Sequence, residues 1–299
     1  MSEQKSTPVL SDTELLECVN ESGFPFELQV GRELASIGFD VQLSHRFLDR
    51  GKKRDAEMDI VAKSGGISPT ERGASVHHSL RLAVECRDTS QPLVFFGLPD
   101  SGAPLLPDKM DPDWPYCWID TSRDAGIPNK FSAIAFDETR STLFRKQYHH
   151  QFSGPARFST VTTIEWQNKR AKLHVTDRLR STLSNFGVFV EDSRAMWTNL
   201  ARSPGELERL LGGTPSIELT FLLVVHAGEQ YQYSLDQAAL VRSRRTSLFA
   251  RFHSERGVEF FVVDFVRYDS LREVLKEIQN SYALLVGHVL PTVLASRAA

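Results

Sequence analysis

The spacing of hydrophobic and polar positions along this chain changes several times, and each change predicts an element. Ser11-Asp12-Thr13-Glu14 has the serine–glutamate spacing of a capping box, which predicts a short helix to about Asn20. Pro25 opens a second helix, in which Phe26, Val30, Leu34 and Ile37 recur at helical spacing and Gly38 marks the stop. Residues 39–47 then alternate apolar and polar, the pattern of a strand with one buried face. A polar turn over 49–55 leads to the run Glu57-Met58-Asp59-Ile60-Val61-Ala62. Residues 63–78, with Gly65-Gly66 and Pro69, read as a loop, and Leu82-Ala83-Val84-Glu85-Cys86-Arg87 follows as another strand. A helix followed by three strands predicts a helix leading into a β-meander.

Residues 97–130 are rich in Gly, Pro and Asp and predict an irregular excursion. Beyond it, 131–136 reads as a strand, and 139–150 and 167–185 as helices. A further helix is expected from Ser193 to about Leu211, where Gly212-Gly213 breaks it. Residues 217–226 and 230–234 flank Ala227-Gly228-Glu229 and read as a hairpin. Strands at 247–253 and 258–266 turn around Glu255-Arg256-Gly257, and a helix is expected over 270–286. The expected organisation is a core over 1–192 with an insertion near 97–130. A C-terminal α/β region, 193–299, packs on that core or extends it.

With 299 residues, 41% of them hydrophobic and 24% charged, the chain fits one large or two moderate soluble domains. A formal charge of −3 excludes a molecule that is basic overall, though not a local basic groove. The three cysteines, Cys18, Cys86 and Cys117, form no CxxC and weigh against a disulfide framework or a thiolate zinc site. The first residues, MSEQKSTPVLSDTE, contain no apolar signal core, and the longest apolar runs are too short or too interrupted to span a bilayer. A cytoplasmic protein with no membrane partner is the expectation. Neither GxxxxGK[ST] nor GxSxG occurs, which removes the common nucleotide-driven and acyl-transfer alternatives.

Two of the predicted strands carry an acid inside an apolar run, and a buried acid is costly unless it is paired or binds a metal. Alternation puts Asp59, Val61 and Lys63 on one face of their strand. On the later strand Arg81, Ala83, Glu85 and Arg87 share a face, opposite Leu82, Val84 and Cys86. Glu85 and Arg87 therefore point the same way, and Asp59 joins them if the register suits. Hard oxygen ligands of this kind suit Mg²⁺ or Mn²⁺. Purely structural roles also exist. Asp59 could be a hydrogen-bonded strand-end acid, and Glu85 could form a salt bridge with Arg87 or Arg81. Glu27 could favour its helix N-terminus through the macrodipole.

These residues resemble the PD-(D/E)XK nuclease superfamily, the restriction-endonuclease-like fold. The resemblance covers roughly 23–96 and rests on Gly23-Phe24-Pro25-Phe26-Glu27, Met58-Asp59-Ile60-Val61-Ala62 and Ala83-Val84-Glu85-Cys86-Arg87. It implies an α/β fold: a restriction-endonuclease-like core with a mixed central sheet flanked by helices, plus the C-terminal α/β extension. It further implies Asp59, Glu85 and the Cys86 backbone carbonyl as metal ligands, and Glu27 as a residue that orients water or holds a second ion. Arg87 departs from the family pattern, which has lysine there. Arginine is always charged and cannot act as a general base, but it can bind phosphate in a bidentate way. Lys63, on the Asp59 face, could take over the role of the missing lysine.

Basic residues Arg46, Arg50, Lys52, Lys53 and Arg54 adjoin the Asp59 strand and are the candidate nucleic-acid contacts. The resemblance thus implies a Mg²⁺- or Mn²⁺-dependent endonuclease acting on nucleic acid, DNA by preference. It could work as a homodimer with one site per strand, or as a monomeric nickase. The alternative is a nuclease-like fold that has lost catalysis and serves as a nucleic-acid-binding or protein-interaction module.

Overall fold

A computed structural model describes residues 11–49, 53–69, 75–98, 117–120, 157–167, 170–174, 177–201, 216–234, 237–254, 257–280 and 282–283. The chain opens with α1 (Asp12–Glu21), where the Ser11 hydroxyl accepts from the Glu14 N–H and the Glu14 carboxylate accepts from the Ser11 N–H, 2.7 Å away. Gly23, at φ 83°, turns the chain into α2 (Phe24–Ser36), whose Phe26, Val30 and Leu34 are buried. Three antiparallel strands follow: β1 (Asp40–Asp49), β2 (Arg54–Pro69) and β3 (Ser75–Arg87). After β4 (Leu93–Leu98), β5 (Cys117–Asp120), β6 (Arg157–Gln167) and β7 (Arg170–His174) comes the long helix α3 (Asp177–Ala201). The remaining strands are β8 (Ser216–His226), β9 (Gln230–Ser234), β10 (Ala239–Arg242), β11 (Arg245–Ser254) and β12 (Gly257–Arg267), and α4 (271–280) follows.

The described strands form one mixed sheet in the order β1-β2-β3-β8-β12-β11-β6-β4-β9-β10, with β5 paired to β8 and β7 to β6. β8 runs parallel to β3 along its whole length, from Ser216 beside His77 to His226 beside Arg87. α2 thus leads into an antiparallel meander, and after β4–β7 the helix α3 leads into a strand parallel to the meander's last strand.

The protein is α/β, with helices on both faces of the sheet. On one face Phe26, Val30 and Leu34 of α2 and Leu271, Val274, Leu275 and Ile278 of α4 pack over Ile60, Leu82, Val84 and Leu223. On the other, Leu179, Phe186 and Phe189 of α3 pack over Val61, Ala83, Leu222 and Val263. β8 is covered on both sides, which is why most of it reads as a near-continuous apolar run. The C-terminal strands β8, β11 and β12 continue the sheet begun by β1–β3. No helix among the described residues is long and apolar enough to cross a membrane.

Three sequence expectations are corrected. Residues 63–78 do not form a long loop, because β2 and β3 stay paired as far as Pro69 and Ser75. Gly65 and Gly66 sit inside that ladder, where the backbones approach too closely for a side chain at Gly65: a Cβ there would lie 2.4 Å from the His78 carbonyl oxygen. Residues 217–226 and 230–234 are not a hairpin. β8 enters the sheet centre between β3 and β12, whereas β9 pairs with β4 and β10. The apolar content of β8 demands burial on both faces, which a two-stranded hairpin cannot give. Residues 167–185 are not one helix either. β7 pairs with β6 first, and α3 begins at Asp177 and runs on through 193 to Ala201. The strand expected at 131–136, the helix at 139–150, and nearly all of the 97–130 excursion lie outside the described residues.

The Gly65 approach gives a direct test. Gly65→Ala is expected to cost about 1–3 kcal/mol, the usual range for overpacking, because the obstacle is backbone. Gly66→Ala, whose Cβ would meet only the His78 ring at 3.4 Å, is expected to cost much less. Denaturant midpoints of the two variants measure the difference.

Candidate functional site

Asp59 lies where both of its ladders lapse. The β1–β2 register passes from Leu43–Ile60 to His45–Met58 without a pair for Ser44, and Ser44 has a left-handed φ of 49°. The β2–β3 register begins only at Ile60–Val84. Irregularities of this kind re-aim side chains. Here the Asp59 carboxylate takes up the N–H that the ladder leaves free: the Cys86 amide donates to Asp59 Oδ2 at 2.7 Å.

Glu85 is the most buried charge of the group, with its side chain 2% exposed. Arg87 lies two residues further along β3 and so projects from the same face. Its Nη2 donates to Glu85 Oε2 at 2.7 Å, and its Nη1 donates to the Cys86 carbonyl at 2.8 Å. Nη1 also stands 3.7 Å from Asp59 Oδ2. The far side of the guanidinium is held by α3, where Arg87 Nε donates to Thr182 Oγ1 at 2.9 Å. The neighbouring Asn185 amide donates to Glu85 Oε1 at 3.2 Å. One guanidinium therefore touches, at ion-pair or hydrogen-bond range, all three oxygen groups that the sequence nominated as metal ligands.

The electrostatics of this cluster are those of crowded carboxylates. Burial pushes the Glu85 carboxyl up to about 7, reinforced by Asp59 and opposed by Arg87 and Asn185. Asp59 is raised by burial, against the pull of the Cys86 amide and Arg87. Glu27, in the first turn of α2, is raised to about 7, first by burial and then by Asp59 and Glu57. Burial raises the Cys86 thiol well above its usual range, which keeps it an inert core group packed beside Val84.

The cluster borders a pocket of about 550 Å³ lined by Glu21, Glu27, Asp59, Arg87, Asp88 and His226, among others. Arg87 and His226 end the parallel strands β3 and β8, so the pocket lies outside the carboxyl ends of parallel strands, a common place for ligands in open α/β sheets. His226 is buried and held near pH 4 by that burial, so its ring is neutral at physiological pH.

The other candidates fall as follows. Glu27 lines the same pocket, but among the described residues no three His, Cys, Asp or Glu side chains gather closely enough to hold a metal ion. Lys63 lies further along β2, opposite Asp40 on one side and Arg81 on the other, away from Asp59. Arg81 does not meet Glu85; its guanidinium stacks over Phe189 with 4.5 Å between Cζ and the ring centroid. In the basic cluster Arg46 is exposed and 3.9 Å from Glu57, Lys53 is exposed, and the Arg54 backbone pairs with Asp49. Arg50 and Lys52 lie outside the described residues. The sequence reading missed Thr182, Asn185 and His226. Thr182 and Asn185 recur at helical spacing among Leu179, Leu183 and Phe186, so two polar residues on a core-facing stripe were the signal.

No protein-family model, curated protein or solved structure matches this chain. The reading of the site therefore rests on its geometry.

The crowding predicts a pH dependence. Glu27 binds its proton more tightly folded than unfolded, so its contribution is most favourable at low pH and is lost as pH rises from about 4.5 toward about 7. Glu27→Gln is expected to stabilise the protein at pH 8, by up to about 1 kcal/mol after allowing for solvent screening, and to leave it unchanged at pH 4. Urea midpoints at the two pH values measure this.

Proposed function

We propose that this chain is a metal-dependent phosphodiesterase of the PD-(D/E)XK type, acting on nucleic acid, with DNA the expected substrate. The observation that carries the reading is the convergence of Asp59, Glu85 and the Cys86 carbonyl on one cationic position. A mixed sheet with helices on both faces supports it, because the resemblance to the restriction-endonuclease-like fold implies such a sheet. So does the placement of the two acids on neighbouring strands, beside the end of the paired β2–β3 ladder.

The donor set fits a hard divalent ion in kind: two carboxylates and a carbonyl, with both carboxyls raised by burial and by a neighbouring acid, Glu57 for Asp59 and Asp59 for Glu85. Asp59, Glu85 and the Cys86 carbonyl would hold Mg²⁺ or Mn²⁺, provided that Arg87 withdraws from them. Such an ion, when bound, polarises a phosphoryl oxygen and lowers the pKa of water. The protein's own groups do the rest. Asn185 fixes the Glu85 carboxylate, and the Cys86 amide fixes Asp59, so neither acid needs to reorganise. Glu27 faces the pocket with a carboxyl poised near neutrality, suited to holding or taking a proton from water. Arg87 supplies a permanent charge for a phosphate oxygen rather than a base.

The pocket's charge argues for a divalent ion. Glu21, Glu27, Asp59 and Asp88 line it against Arg87. A phosphodiester entering this field alone is repelled, and an accompanying divalent cation weakens that repulsion.

A second reading has its own observation. Arg87 is tied to Glu85, Cys86 and Thr182 together, so a guanidinium can stand permanently where the ion would bind. The fold would then act as a catalytically silent module that binds nucleic acid or protein.

Cleavage assays separate the two. Purified protein with Mg²⁺ or Mn²⁺ is expected to nick or linearise supercoiled DNA. Asp59→Ala and Glu85→Ala should lower the rate by about 10²-fold or more, the scale on which a charge-stabilising group at a reacting centre acts. Equal cleavage by wild type and Asp59→Ala would end the catalytic assignment. No cleavage by wild type together with a gain in Arg87→Lys would favour the silent module.

A further inference from the structure

The Arg87 guanidinium and a divalent cation claim the same oxygen atoms. Arg87 touches Glu85 Oε2 and the Cys86 carbonyl at 2.7 and 2.8 Å, with Asp59 Oδ2 at 3.7 Å. Mg²⁺ would require such oxygens at about 2.1 Å, and Mn²⁺ is also an oxygen-binding cation. A guanidinium left among them would repel the ion at contact range as well as using the same lone pairs. The two occupants therefore exclude one another.

We infer that Arg87 is a built-in cation that closes this site, and that divalent-ion binding is gated by its displacement into the adjoining pocket. The inference deepens the metal-dependent reading above and rests on it for the identity of the ligands.

Two features make displacement physically accessible. The Arg87 side chain is 24% exposed, whereas Glu85 beneath it is 2% exposed, so the guanidinium lies on the solvent side of the pair. The pocket it faces also carries other acceptors for a cation, in Glu21, Glu27 and Asp88. Leaving the closed position costs the Thr182, Glu85 and Cys86 contacts, and pairing with those carboxylates or with a phosphate offsets that cost. A phosphate is the better lure, since a planar guanidinium binds two of its oxygens at once. A phosphodiester would then open its own metal site.

Thr182 holds the latch from the helix side, through its contacts with Nε and Nη2 of Arg87. With Thr182 removed, Arg87 should loosen, while Asn185 and the Cys86 amide still hold the Glu85 and Asp59 carboxylates. Thr182→Val, close in shape, is therefore the mildest way to bias the switch.

The test uses the full chain and Mn²⁺ alone, with bound metal read from loss of the free-ion electron paramagnetic resonance signal. Arg87→Met is expected to bind one Mn²⁺ at least about tenfold more tightly than wild type, equivalent to about 1.4 kcal/mol. Thr182→Val should fall between them, and Asp59→Asn in the Arg87→Met background should lose the site. Because Arg87→Met leaves buried carboxylates without their partner, folding is checked by circular dichroism; if it fails to fold, Thr182→Val against wild type carries the comparison. Equal Mn²⁺ affinity in wild type and the folded latch variants would overturn the gating while leaving the metal-dependent reading intact. No Mn²⁺ binding by any folded variant would overturn both.

Discussion

Burying the Glu85 carboxylate in the middle of the sheet is the constraint around which this end of the molecule is arranged. An ionised carboxylate withdrawn from water must find compensating charge and hydrogen bonds close by, or give up its ionisation. Period-two alternation makes Arg87 the nearest side chain on the same strand that can supply the charge. The long arginine stem then folds back along the strand to reach both Glu85 and the intervening Cys86 carbonyl. Asn185 and Thr182 complete the arrangement from α3, so a helix packed mainly by Phe186 and Phe189 is also tied in register to β3 by polar contacts. Breaking such a buried pair by removing one partner typically costs about 3–5 kcal/mol, because the other charge is stranded.

Asp59 shows how local backbone irregularity serves the same cluster. Were β1, β2 and β3 regularly paired through it, its carboxylate would have no special claim on the Cys86 amide. The lapse at Ser44 on one side and the end of the ladder on the other leave that amide for the side chain. Asp59 is consequently oriented before any ligand arrives, a preorganisation that a regular strand would not give. The pocket then follows from topology. β3 and β8 end together at Arg87 and His226, and the turn after His226 packs against the chain after β3 so tightly that a Cβ on Gly228 would lie 2.8 Å from the Thr89 carbonyl oxygen.

Much of the frame was legible in the sequence because single strands and amphipathic helices carry their own period. Phe26, Val30 and Leu34 declared the inner stripe of α2, and Glu85 and Arg87 declared a shared face. What failed were inferences about partners. The apolar run of β8 has the same local pattern in a hairpin or in the centre of a sheet, and only the distant β3 decides between them. Gly65-Gly66 resembles a turn locally, yet in the paired strands it permits close backbone approach. Thr182 and Asn185 escape a sequence reading for a related reason. Polar residues on the inner stripe carry information only when something buried needs them, and Glu85 does. The acidic pair was legible because an acid in an apolar strand is anomalous without reference to any partner.

The identity of the residue at position 87 has consequences beyond its missing basicity. A lysine ammonium is a compact point charge that can stand beside a bound ion and address one oxygen at a time. A guanidinium is planar and presents several donors in a fixed fork. Here it bridges a carboxylate, a backbone carbonyl and a threonine hydroxyl simultaneously. On the proposed metal-dependent reading, an arginine in place of lysine both removes a base and competes for the ion's ligands. It does not remove the demand for positive charge, however. Even with Arg87 in place, Asp59 remains raised by burial and Glu57, and Glu27 by burial, Asp59 and Glu57. On the proposed reading such a cluster still favours an added cation, and the balance between the internal guanidinium and an external ion is set by how firmly α3 holds Arg87 in the closed position.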